Sequence, residues 1–229
     1  MNRNIIVIVF ACASLSAMAG TSLYSNPVIN ESAPDPTVIR ADDGRFYLYA
    51  TENVRNVPIY SSDNLFWGSF RGIYGIELTP DDLALKPGSK PRQIAGTLTE
   101  GTNIYRHDGY YYLIGSAGTC CDGERSTYHE VAARSENLFG SYVNKEGLPA
   151  MENNFSPVIE RSDKVIGPGH NANFVMDDAG NHWMLYHGFD AEKPEAGRKV
   201  YLDRILWDSD GWPCTHSGEP SAEAERPVF

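Results

Sequence analysis

A chain of 229 residues, 41% apolar and 21% charged, has the length of one domain with a real core and the composition of a folded protein. Its formal net charge of -11 leaves no basic stripe to neutralise phosphates, which argues against a nucleic-acid partner and for a neutral ligand. The 13 Tyr and 4 Trp offer aromatic faces with polar tips, which suit sugar-like ligands and β-cores alike.

The chain opens on an address. Asn2, Arg3 and Asn4 are polar or positive, Ile5 to Ala11 are apolar, and Ala17-Met18-Ala19 offers a small-x-small cleavage site before Gly20. This predicts a secretory signal peptide over residues 1–19 and a mature domain over 20–229, secreted or periplasmic. Cys12 is the alternative, as a lipid-attachment cysteine. No other stretch is long enough to span a bilayer. Removing the signal leaves Cys120, Cys121 and Cys214, an odd number for an oxidising compartment. Neighbouring Cα atoms lie about 3.8 Å apart, short for an ordinary disulfide. A bond between Cys120 and Cys121, a bond from either to Cys214, and three free thiols all stay open, with a structural role in each case.

Helical periodicity is almost absent. Short aromatic-rich segments bounded by Gly, Pro, Asn or Asp predict an all-β protein. One theme recurs: Asp42-Asp43-Gly44 leads into Arg45–Ala50, Asp108-Gly109 into Tyr110–Ser116, and Asp177-Asp178-Ala179-Gly180 into Asn181–His187. Each copy is an acidic turn, a glycine and an aromatic strand that ends on a small or polar residue. Intervals of roughly 64 and 72 residues suit four-stranded propeller blades with long loops. A weaker fourth copy, Asp63–Phe70, begins only about 19 residues after Phe46, too soon for another blade. It is either a second strand of the first blade or the far side of a missing stretch between Tyr60 and Asn64.

Onward, Gly72–Leu78 and Leu83–Lys86 read as a hairpin, and Pro87–Arg92 as a polar loop delivering the chain to Glu100. Asp108-Gly109 between Ile104-Tyr105 and Tyr110–Ile114 is a strong hairpin signal, with Glu100 just ahead of it at a sheet rim. Tyr128–Ser135 is strand-like, and Leu138–Tyr142 is an edge turn. Val165–Asn171 is a glycine-rich approach to a strand at Ala172–Met176, and Val200–Trp207 is the last strand. From Thr215 the chain reads as irregular.

Three residues stand out for chemistry. Asp35 lies between Pro34 and Pro36, which stiffen a strand entrance; a turn-forming Asp-Pro is the plain alternative. Glu100 precedes the hairpin, and a solvated loop glutamate is its ordinary reading. His170 lies in Gly167-Pro168-Gly169-His170-Asn171, where glycines allow close backbone approach; a surface histidine is the commoner outcome. Two carboxylates facing across a cleft are what glycoside hydrolysis needs. There is no nucleophile elbow, phosphate-cradling loop or zinc signature.

Segments Asn26–Ile29 with Ala33–Ile39, Leu65–Tyr74, Glu100-Gly101-Thr102, Ser116–Cys121 and Gly167–Asn171 together resemble, in order, family 43 of the glycoside hydrolases. The resemblance is to its arabinan endo-1,5-α-L-arabinosidases and related arabinofuranosidases and xylosidases. It implies a five-bladed β-propeller and an inverting attack on arabinan or a related plant polysaccharide. Asp35 would be the general base and Glu100 the general acid, roughly 6.5–9.5 Å apart to admit water. His170 would stand near a calcium-type ion and its waters, otherwise with no cofactor. The family also carries a third acid, an Asp-Pro aspartate ahead of the Leu-Phe-Trp-Gly-Ser-Phe strand, that raises the acid's pKa. Here Val57–Asn64 precedes that strand, and Asp63 lacks that context. The chain is therefore expected to be shortened near 60–64, with about three blades present. Weak turnover, or a non-catalytic carbohydrate-binding remnant, is the competing reading.

Overall fold

The computed structural model describes residues 23–30, 32, 34–40, 46–49, 64–79 and 84–229. The expected signal segment, Cys12, the Asp42-Asp43-Gly44 turn and the junction up to Asp63 lie outside them. The described chain is all-β; its helical pieces are three single 3-10 turns at Gly123–Arg125, Ala150–Glu152 and Pro194–Ala196. No helix among the described residues is long and apolar enough to cross a membrane.

Strands β1 (Leu23–Ser25), β2 (Thr37–Arg40) and β3 (Phe46–Tyr49) come first, and β2 pairs antiparallel with β3. Then β4 (Asn64–Ser69), β5 (Gly72–Glu77) and β6 (Arg92–Ala95) build a separate three-stranded sheet. The fourth copy of the repeat is thus not a second strand of the first pair. A four-stranded meander follows, made of β7 (Thr99–His107), β8 (Tyr110–Ala117), β9 (His129–Ser135) and β10 (Ser156–Ile159). The last large sheet holds β11 (Val165–Gly169), β12 (Val175–Met176), β13 (His182–Asp190), β14 (Arg198–Trp207) and β15 (Pro213–Cys214). Finally β16 (Glu223–Glu225) returns to pair with β1.

The Asp108-Gly109 turn forms as predicted. Its two residues have φ of 44° and 84°, and His107 faces Tyr110 across the ladder. Positive φ at both central positions is what a type I′ hairpin demands. Other expectations shift. Glu100 is not in a loop ahead of the hairpin but within β7, and the glycine-rich Val165–Gly169 is itself a strand. The tail is not wholly irregular, because β16 clasps β1. Cys120 and Cys121 are bonded to each other across a Cα–Cα distance of 3.8 Å, and Cys214 is free.

The meander is buried on both faces, so its central strands read as continuous apolar runs rather than alternating ones. Tyr112, Ile114 and Ala132 join Met184, Tyr186, Tyr201 and Ile205 in one core cluster. Leu113 and Ala133, one residue on and so on the opposite face, join Ile73, Ile94 and Tyr142 in a second. The meander therefore packs one face on the last large sheet and the other on the three-stranded sheet.

Candidate active site

Asp35 enters the site on a stiff corner. Pro34 and Pro36 are buried, Asp35 is half-buried, and its φ of 54° is left-handed. A non-glycine residue held there stores strain that its surroundings must offset. The Asp35 amide donates to His187 Nδ1 at 2.9 Å. Its Oδ1 lies 3.3 Å from Arg198 Nη1 and 3.3 Å from His170 Nδ1. His187 ends the third repeat copy on β13, and Arg198 opens β14. His187 is fully buried, which pushes its pKa down to about 4. The neutral ring accepts the Asp35 amide at Nδ1, and its Nε2 lies 3.4 Å from Arg198 Nη1. The 3.4 Å approach of that ring to Asp35 Oδ1 is then no ion pair, and Arg198 is the counter-charge.

Glu100, on β7, faces Ser116 on β8, and the register shifts between Glu100 and Asn103. Such a bulge re-aims side chains at a sheet end. Gly101, in the bulge, has φ 59°, and a Cβ there would meet the His170 ring at 3.1 Å. Only glycine lets strand and ring come so close. Tyr128, just ahead of β9, donates from its hydroxyl to Glu100 Oε1 at 2.8 Å. Burial holds that phenol protonated by pushing its pKa far up, so it is a fixed donor.

His170 also has a left-handed backbone, with φ 53°. Its amide donates to Ser116 Oγ at 2.7 Å. Gly169 lets the corner press on Tyr128, where an added Cβ would lie 2.2 Å from the ring. The His170 ring thus stands between the Asp35 carboxylate and the backbone beside Glu100. Asp35, Trp67, Gly101, Thr102, Asn103 and His170 help line a cleft of about 240 Å³. A larger groove of about 380 Å³ gathers Lys86, Lys90 and Arg92 beside Glu77. It brings no two carboxylates together, so it does not offer the paired-acid chemistry.

Of the three predicted residues, Asp35 and His170 are in contact and line the cleft, while Glu100 lies one residue from Gly101 on its wall. Tyr128, His187, Arg198 and Ser116 were not singled out. Ser116 and His187 had a signal: both are the polar residues on which copies of the repeat end. Arg198 had none, since its role depends on pairing beside β13. Among the described residues no group of three or more His, Cys, Asp or Glu is arranged to hold a metal.

The model of glycosyl hydrolases family 43 matches residues 65–213. The chain belongs to this family. The match takes in Glu100 and His170 and leaves Asp35 outside it. Among curated relatives, the chain is 32% identical over 121 residues to an extracellular exo-α-(1→5)-L-arabinofuranosidase of Cellvibrio japonicus, covering 53% of this chain and 34% of that one. It is 30% identical over 161 residues to an extracellular endo-α-(1→5)-L-arabinanase of Bacillus subtilis, covering 67% of this chain and 48% of that one. The chain thus spans a third to a half of the length of these relatives. Among solved structures, an α-L-arabinanase of Cellvibrio cellulosa complexed with arabinohexaose aligns with a TM-score of 0.62 and 25% identity. That alignment covers 80% of this family-43 chain and 56% of the arabinanase.

Proposed function

We propose that this family-43 chain is an exported glycoside hydrolase that cleaves arabinan or a related plant polysaccharide with inversion. The observation that carries the reading is the contact of Asp35 with His170, whose ring packs against Gly101 next to Glu100. With Oε1 held by Tyr128, Glu100 offers its other oxygen to protonate the leaving glycosidic oxygen. Asp35 takes a proton from the water that attacks the anomeric carbon from the opposite face. The glycosidic bond breaks as the bond to water forms, and solvent returns both carboxyls to their starting states. Trp67, 41% exposed on the cleft wall, gives a sugar ring an aromatic face.

A calcium ion near His170 is part of the proposal. His170 Nδ1 faces Asp35, which leaves Nε2 as its ring donor. Calcium takes six to eight ligands, mostly oxygens, so water would supply most of the shell. A thermal shift on adding calcium that His170→Ala abolishes supports the ion; equal shifts in both chains overturn it.

The purified mature chain should release reducing sugar from linear arabinan, with the product's anomeric configuration inverted by NMR, and Glu100→Gln should lower the rate by at least about 100-fold. The second reading, a sugar-binding remnant of an incomplete five-bladed propeller, is favoured by the half-length coverage of the relatives. Retardation of the chain in arabinan-containing gels without sugar release would establish it. A mature chain beginning at Gly20 supports export by signal cleavage; a lipid on Cys12 would replace that account.

A further inference from the structure

Glu130 is fully buried on β9 and is neither of the two proposed catalytic carboxylates. In the register of the meander, Glu100 faces Ser116 and Ser116 faces Glu130. Directly opposed residues share a sheet face, so an acid, a hydroxyl and a second acid run in one row across three strands. Ser116 Oγ donates to Glu130 Oε1 at 3.0 Å, and the Asn171 amide donates to the same oxygen at 2.8 Å. Ser116 Oγ in turn accepts the His170 amide. Two successive amides of the left-handed corner therefore end on this pair of side chains. Asn103 on β7 completes the hold by donating from Nδ2 to the Asn171 carbonyl at 2.8 Å.

Glu130 Oε2 is buried and has no partner among the described residues. Burial drives the Glu130 pKa up to about 8, so the group is a neutral acid near neutral pH. Leaving a carboxyl in that state is costly where an apolar side chain would pack. Its geometry supplies a reason for its presence.

We propose that Glu130 is a positioning residue, whose Oε1, with Ser116, fixes the His170–Asn171 corner against β7 and so sets His170 between Asp35 and Glu100. The proposal rests on the hydrolase reading for its catalytic consequence and on the hydrogen bonds alone for its structural one. The test uses the full mature chain with Glu130→Gln, Glu130→Leu and Ser116→Ala, and reads both kcat and KM on linear arabinan and the NMR signals of the His170 ring. Gln keeps an acceptor at Oε1, so it should leave the ring signals in place and kcat within about threefold. Leu fills the space without an acceptor; it should move or broaden the His170 signals and lower kcat about 10- to 100-fold with KM little changed. Ser116→Ala should act in the same direction, and it decides the matter if the Leu variant does not fold. A Leu variant, or Ser116→Ala, with the His170 signals and kcat of the parent overturns the proposal, as does a Gln variant no better than Leu. If the parent releases no sugar, the hydrolase reading fails while the ring signals still decide the role of Glu130.

Discussion

A single hydrogen bond can set a side chain at this site, and Tyr128 is the clearest case. Its hydroxyl is buried, is kept protonated by that burial, and donates to Glu100. Removing the hydroxyl deletes a bond worth about 1–2 kcal/mol and frees the Glu100 carboxyl to rotate. Tyr128→Phe should therefore lower kcat on linear arabinan by roughly 5- to 30-fold and Tm by about 2–8 °C, with the fold kept because the ring still packs against Gly169. Full activity in that variant would mean that Glu100 needs no anchor. The positive φ of Asp35 and His170 belongs to the same scale. Asp and His tolerate it better than most side chains, and in each the backbone amide donates a hydrogen bond to a side chain from a distant strand.

At the scale of elements, the pairing of β1 with β16 is backed by polar satisfaction at one residue. Asn26, just after β1, donates from Nδ2 to the Leu202 carbonyl at 2.8 Å and to the Ser221 carbonyl at 2.9 Å, and accepts the Leu202 amide at 2.9 Å. It replaces the ladder that β14 lacks there, and it holds the segment leading to Asp35 on the last sheet. Asn26→Ala takes the partner from the Leu202 amide and the Ser221 carbonyl, while the Leu202 carbonyl keeps the Tyr24 hydroxyl at 2.6 Å; it should cost about 2–3 kcal/mol, read as a lower urea midpoint. An unchanged midpoint would show that β1 and β16 pair without this lock. The signal for the clasp was faint in the sequence. Glu223-Ala224-Glu225 carries no strand periodicity, and its pairing is decided by where the chain ends arrive.

For the molecule as a whole, two buried titrating groups oppose one another. The Glu130 pKa is raised from 4.5 to about 8, so the folded state holds more protons than the unfolded one and stability falls as pH climbs through that window. The His187 pKa is lowered from 6.5 to about 4, so the folded state holds fewer protons and stability falls as pH drops through that one. Those two slopes offset each other between about pH 4.5 and 6.5, while buried Asp203, raised from 3.8 to about 6, adds a fall in stability with rising pH that ends near pH 6. Above 6.5 Glu130 acts alone, and stability should drop by about 2 kcal/mol by pH 8. In a chain of this size that is roughly 4–8 °C of Tm, and Glu130→Gln should flatten the decline. A Tm that stays level or rises from pH 6.5 to 8 in the parent would contradict the buried neutral acid.

The sequence alone determined the all-β class, the Asp108-Gly109 hairpin and the three residues worth watching. Turn chemistry and period-two aromatic runs are local, so they survive being read without neighbours. It also carried the ordered motifs on which the family resemblance rests. It did not reveal that Glu100 lies within a strand beside a bulge, because a bulge is fixed by register with a partner strand. Nor could it show that His187 is neutral, that Arg198 stands against Asp35, or that Glu130 sits under the His170 corner. Those relations join residues from different sheets, and burial, pKa and hydrogen-bond partner exist only once the sheets have packed.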